Sequence, residues 1–347
     1  MHMADALLSP AVAAVMYASS GTTAGISIHQ LKKENNPAQL PTMAVGAALV
    51  FAGQMINYTI PGTGSSGHIC GGMLLSALLG PQAGFLSMIV ILAIQCLFFA
   101  DGGLMALGAN VWNMAFYGCF VGYYLIWRPI LRSHWFGDGA RAVRLRIIAA
   151  SVIGCVVTLQ LGAFSVVLET SLSGITELPF GAFVALMQPI HLAIGLVEGA
   201  VTAAVLCFVY DSRPELVREA DAAGVGAKRS VKSVVAILAA VTILVGGGLS
   251  LLASSNPDGL EWALFGNAES GYSENMGLDE EAYGVESAVA DKAASIQEDT
   301  SFLPDYAFPD SESAAGTTVS GLVGAAMVAI VAAAVCVIGG AYRRKHS

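Results

Sequence analysis

Long apolar runs separated by short polar breaks make up most of the chain. A bilayer-crossing helix needs about 20 mostly apolar residues, fewer when packed inside a bundle. Runs of this kind lie at 8–29, 40–59, 69–79, 82–100, 104–126, 147–168, 181–210, 233–253 and 320–341. The third is short for a crossing and is stopped by Gly80-Pro81, so it reads as a half-buried helix. Glycines recur in the runs and let helices approach closely in lipid. The predicted fold is all-α, a polytopic membrane helical bundle. A seven-span body at 1–210 is followed by a polar linker at 211–232 and a two-span accessory unit at 233–347. We find no internal repeat.

Composition narrows the class. Of 347 residues, 55% are hydrophobic and 12% charged, whereas soluble domains carry about 25% charged residues. That excludes one large soluble domain and a disordered chain. With 25 acids against 16 Lys and Arg, no basic surface exists to grip nucleic acid. Cys70, Cys96, Cys119, Cys155, Cys207 and Cys336 stand far apart in apolar runs without a CxxC. They read as small buried hydrophobes.

Charge supplies an orientation. Nine crossings from an external N-terminus put Lys32, Lys33, Arg128, Arg132, Arg141, Arg144, Arg146, Arg213, Arg218, Lys228, Arg229, Lys232, Arg343, Arg344 and Lys345 inside, leaving Lys292 outside. Inner loops are the basic ones, so a multi-pass protein of the cell membrane with a cytoplasmic C-terminus is expected, surrounded by membrane lipid. The acids go the other way. Residues 256–319 hold 14 of the 25 acids and one Lys. Such a composition does not bury a core, so this acidic external loop reads as flexible, either a solvated spacer or a concentrator of cations.

The first residues are Met1-His2-Met3-Ala4-Asp5, with no basic region ahead of a cleavable apolar segment. His2 is too large for methionine removal, so Met1 is expected to keep a free α-amine. That amine and the His2 backbone nitrogen can close a five-membered ring around a metal. The backbone nitrogen and His2 Nδ1 can close a six-membered one. Planar nitrogen fields suit Ni(II) and Cu(II) rather than Zn, Mg or Ca. The rival reading makes His2 an incidental terminal residue. A fourth nitrogen is offered by His68, in the glycine-rich segment GTGSSGHICGG (62–72) on the same external side. Glycines there permit irregular backbone at membrane depth. The rival reading of His68 is a structural histidine capping the short helix.

The N-terminal Met-His, GTGSSGHICGG, DGGLMALGANVWNM (101–114) and HLAIGLVEGAVTA (191–203) together resemble the substrate-capture membrane subunits of energy-coupling-factor nickel and cobalt transporters, the CbiM/NikM family. The resemblance covers most of 1–210. Pro257-Asp258-Gly259-Leu260-Glu261 looks like the signature of the small accessory (N-type, PDGLE) subunit, here fused to the main one as in NikMN-like chains. The resemblance implies a square-planar Ni²⁺ or Co²⁺ site formed by the Met1 amine, the His2 amide nitrogen and imidazole, and the His68 imidazole. The metal is substrate, and no permanent cofactor is implied. Gln95, Asp101, Asn110 and Asn113 lie in or beside the third motif and are expected to hold the ligands in place. Hydrogen bonding between helices is an equal reading for the Asn pair, and a cap facing external water one for Asp101. The glycine before His68, the Asp-Gly-Gly at 101–103 and the fused unit lean toward nickel. Cys70 departs from the expected apolar residue and is either filler or a metal-tuning contact.

His191 and Glu198 stand two turns apart on one face of the seventh span. Ionisable groups in a membrane usually face a bundle interior or cavity. They read as a structural pair in preference to a secondary cation path. His29, His134 and His346 fall near inner loops and read as solvated.

The chain has no GxxxxGK[ST] phosphate loop. The resemblance therefore implies a transport subunit, not an enzyme. A separate transmembrane coupling subunit and cytoplasmic ATPase subunits would supply the energy. Two rivals differ in class. An intramembrane metalloenzyme using His191, Glu198 and His68 lacks HExxH. A membrane metal sensor or assembly factor would bind without transporting.

Overall fold

A computed structural model describes residues 1–34, 40–175, 177–222, 226, 228–267, 272–273, 278, 283–309, 313 and 315–344. Lys345, His346 and the loop acids Glu269, Glu274, Asp279, Glu280, Glu281, Asp310 and Glu312 lie outside them.

The apolar runs are helices. They are α1 (Pro10–Glu34), α2 (Leu40–Gln54), α3 (Gly72–Leu79) and α4 (Pro81–Phe99). Next, α5 (Leu107–Val111) continues through a π-helical stretch, Trp112–Trp127, into α6 (Arg128–Arg132). The longest helices, α7 (Ala140–Leu172) and α8 (Phe180–Ser212), pack along one another. Then come α9 (Val231–Gly247), the short α10 (Gly259–Phe265), α11 (Ala288–Thr300) and α12 (Ala315–Arg344).

Five helices are by themselves long and apolar enough to cross a membrane: Pro10–Lys33, Pro81–Phe99, Ala140–Leu172, Phe180–Ser212 and Ala315–Ala334. Pro41–Gln54 and Val231–Gly247 are shorter apolar helices. Large apolar side chains such as Phe164, Leu168, Leu196 and Val201 on α7 and α8 point outward, as a face turned to lipid requires. The central α3 is buried at every residue. It ends at Gly80, and Pro81 opens α4 at a position where a missing N–H costs nothing.

Two expectations change, and the linker takes up a definite place. The run at 40–59 leaves the helix at Gln54, and Tyr58–Ile60 forms strand β1 paired antiparallel with β2 (Ser65–Gly67). A short apolar run does not tell helix from strand. The linker is docked, at least in part: Arg218 N–H donates to the Ala77 carbonyl at 2.8 Å and its guanidinium to that of Leu79 at 3.1 Å, satisfying the end of α3. The acidic loop is also not a bare solvated spacer over its described part. Leu260, Ala263, Leu264, Ala293 and Leu303 are buried, because α10 packs on α8 and α11 on α4. Few but well-placed apolar residues suffice to dock a segment whose average composition is acidic.

Candidate metal centre

The hairpin β1–β2 turns the chain back so that His68 follows directly on the last strand residue. Its backbone is held from below by Glu198 of α8, whose two carboxylate oxygens accept the N–H groups of Cys70 (2.7 Å) and Gly71 (2.9 Å). Glu198 is therefore fully engaged as a clamp and does not pair with His191. The expected structural pair is absent among the described contacts.

The N-terminal segment inserts beside this loop. Asn110 forms a two-point grip on Met3, its Oδ1 accepting the Met3 N–H at 2.7 Å and its Nδ2 donating to the Met3 carbonyl at 3.2 Å. Gly103 N–H donates to the same carbonyl at 2.9 Å, and Asp5 Oδ1 accepts the Ala106 N–H at 2.8 Å. The approach is so close that a Cβ on Gly103 would lie 1.8 Å from Asp5 Oδ1. Asn113 donates to Glu169 at 2.8 Å and reaches Met3 Sδ at 3.6 Å.

Met1, His2 and His68 thus come together, Met1 and His68 lining one small cavity. The His2 and His68 rings stack with centroids 5.3 Å apart and planes 19° apart. Nδ1 of His2 lies 2.9 Å from Asp101 Oδ1, and the other Asp101 oxygen accepts the Tyr306 hydroxyl. Asp101 is no free cap. Burial opposes its charge, but His2, Tyr306 and His68 together hold its carboxyl down at about 2. Gln95 stands one step further out, buried near Tyr306, with its carbonyl accepting the Asp101 N–H at 3.1 Å.

The least expected member is Asp258. It caps α10 through a capping box: Oδ1 accepts the Leu260 and Glu261 N–H groups, and Glu261 accepts the Asp258 N–H. The free oxygen, Oδ2, receives the Met1 ammonium at 3.0 Å and lies 3.8 Å from His68 Nε2. The Pro257 carbonyl accepts the Ser66 N–H at 2.8 Å, stitching this motif to the hairpin. Burial pulls the Met1 ammonium down, yet the Asp258 carboxylate outweighs it and leaves it raised. Burial and the neighbouring ammonium push His68 down to about 4, so it is a neutral donor.

Among the described residues no three His, Cys, Asp or Glu side chains group as a metal site. The donors here are an amine, a backbone nitrogen and two imidazoles. The sequence pointed to Met1, His2 and His68 but missed Asp258, Asp5, Tyr306 and the clamp role of Glu198. Only the Asp-x-x-Glu spacing of the capping box signalled Asp258, and it signalled a helix start.

Comparison with known proteins gives the chain a family. A family model described as the cobalt uptake substrate-specific transmembrane region matches residues 2–216, and a PDGLE domain model matches 232–340. The chain belongs to the cobalt-uptake substrate-specific transmembrane family, with a PDGLE domain at its C-terminal end. A protein of Archaeoglobus fulgidus named as a fused nickel transport protein is 34% identical, over 94% of this chain and 95% of its own length. A cobalt transport protein of Sorangium cellulosum is 30% identical, over 62% of this chain and 94% of its own. A solved transition metal transporter shares 30% identity with a TM-score of 0.52, covering 62% of this chain and 96% of its own. This is a membrane protein whose relatives include nickel and cobalt transport proteins.

Proposed function

We propose that this chain captures Ni²⁺, or Co²⁺, at the external face of the cell membrane as the substrate-specific component of an ATP-driven energy-coupling-factor uptake transporter. The observation that carries this is the convergence of the Met1 amine, His2 and His68, although the third is 66 positions from the second. The cation sheds water, takes the amine, the His2 amide nitrogen and the two imidazoles, and displaces the amide proton. His2 Nδ1 faces Asp101 in this structure, so closing the chelate turns the imidazole about its Cβ–Cγ bond and releases that partner. Asn110 holds Met3 while this happens. The body at 1–210 crosses seven times and the unit at 233–347 twice, with the N-terminus outside. A transmembrane coupling subunit and cytoplasmic ATPase subunits drive release inward. Affinity alone favours Cu²⁺ over Ni²⁺ on such nitrogens, so selectivity lies in geometry and loop closure.

The test is His2→Gln, whose large second residue keeps Met1 in place while the imidazole lone pair is lost. Ni²⁺ binding measured by calorimetry is expected to fall by about a hundredfold or more, beyond the loss typical of an outer-shell change. Unchanged binding rejects the N-terminal site. The sensor or assembly-factor reading is separated by reconstitution with the ATPase partners: binding without ATP-dependent uptake would favour it.

A further inference from the structure

His191 has no role in the capture site as described above. It is 1% exposed on α8, and its Nδ1 lies 2.7 Å from the Met187 carbonyl one turn back on its own helix. A carbonyl only accepts, so Nδ1 carries the proton and Nε2 is left with its lone pair. Among the described residues, Nε2 is buried and has no hydrogen-bond partner. Buried polar atoms are rarely left so, and each such case asks for an explanation. The ring's direction supplies one. With Nδ1 turned back on the helix, the Cε1–Nε2 edge points away from it. Cε1 sits only 3.2 Å from where a Cβ on Gly259 would be. His191 and Gly259 line the same small cavity as Met1, His68, Cys70 and Asp258. A second cavity, which also touches Met1 and Cys70, continues past Asn113, Thr158 and Glu198.

We propose that His191 is a third imidazole for the transported cation, a holding position beside the N-terminal nitrogens on the route through the protein. The proposal rests on the reading of those nitrogens as the capture site. A fixed tautomer with one free nitrogen, set by a backbone carbonyl on the other, is the form in which histidine binds divalent transition metals. The neighbours fit that ligand class. Asp258 brings a negative charge, His68 a second imidazole and Cys70 a soft sulfur. Gly259 is what allows the accessory helix to come this close, since any side chain there meets Ile190, His191 and Ile194. The accessory unit therefore closes one wall of the cavity in which His191 waits.

The experiment uses the purified full chain titrated with Co²⁺ alone, followed by its visible absorption, which reports ligand number and type. Three variants are compared with the unaltered chain: His2→Gln, whose large second residue keeps Met1 in place, His191→Gln, and the two combined. Gln at 191 keeps a donor for the Met187 carbonyl but offers no imidazole lone pair. His2→Gln is expected to leave residual Co²⁺ binding, and adding His191→Gln is expected to weaken it further by about tenfold to a hundredfold. His191→Gln alone is expected to keep the tight binding, which also shows that the variant folds. Residual binding that is indifferent to His191→Gln overturns the proposal. So does the absence of residual binding in His2→Gln. Loss of tight binding in His191→Gln alone marks a supporting role and overturns it as well. A His2→Gln chain that keeps tight binding instead rejects the N-terminal site, and the His191 proposal falls with it.

Discussion

One ion pair ties the two ends of the site together. The Met1 ammonium rests on Asp258 at 3.0 Å, and that pair sets how the pocket responds to pH. The ammonium is raised above its ordinary 8.0, by Asp258 against the pull of burial. Its contribution to docking the N-terminus is fully present below pH 8 and is lost as pH rises through the raised value. The Asp258 carboxyl is lowered from its ordinary 3.8; burial opposes this, but the ammonium and His68 prevail. Its contribution is present above about pH 4 and lost as pH falls through the lowered value. The docked N-terminus is therefore most secure between about pH 4 and 8. Cation binding runs against the proton. The amine and the His2 amide must each give one up, so about two protons leave per ion near neutral pH, and affinity rises with pH. His68, held near 4, adds none above pH 5 or so. Calorimetry of Ni²⁺ binding in buffers of different ionisation enthalpy, from pH 6 to 9, counts these protons. A pH-independent affinity would contradict the amine as a ligand. At this scale the sequence revealed donors whose chemistry is local, such as an amine beside an imidazole. It did not reveal Asp258, whose role depends on a partner 257 positions away.

At the scale of elements, the site is built by short segments that fit between long ones. The N-terminal segment, the hairpin and α10 carry the donors, while α3, α7, α8 and the π-helical stretch supply the walls. The Asp-Gly-Gly at 101–103 shows how tight the fit is. Its aspartate holds His2, and Gly103 has no room for a side chain against Asp5. Gly103→Ala is expected to push the N-terminal segment off its seat without disturbing the helices. Ni²⁺ affinity then drops by about tenfold or more, while the thermal midpoint moves by only a few degrees, as about 1 kcal/mol in a chain of this size does. Unchanged affinity would show that Asp5 yields and that the segment is not held there. Helices were largely legible from the length of apolar runs, because a span must be apolar over its whole length. The hairpin was not. Its strands are three residues each, too short for an alternating pattern to stand out, and the apolar run of α2 passes straight into them.

The whole molecule is arranged by charge. Arg144 of α7 pairs with Asp211 of α8 at 2.6 Å, and Arg132 reaches Glu219 at 2.7 Å, at the end where Arg218 closes α3. The pocket lies elsewhere, where α11 crosses the end of α4 and Gln297 donates to the carbonyls of Cys96 (2.8 Å) and Gly102 (2.7 Å). Lys292 is exposed on that helix, whereas Lys32, Lys33, Lys228 and Lys232 are exposed elsewhere. The composition of 256–319 misled because an average over many acids hides Leu260, Leu264 and Leu303, which do the docking. The sign of the charges still carries an orientation, since Lys and Arg loops stay on the cytoplasmic side. That orientation has a direct test. In intact cells, a membrane-impermeant amine reagent should label Lys292 and leave Lys32, Lys33, Lys228, Lys232 and Lys345 untouched until the membrane is opened, with sites read by peptide mass. The Met1 amine, buried against Asp258, should resist the reagent in both cases and become reactive only on unfolding. Labelling of Lys228 or Lys232 in closed cells, with Lys292 protected, would reverse the topology and put the pocket on the cytoplasmic side, where uptake from outside has no use for it.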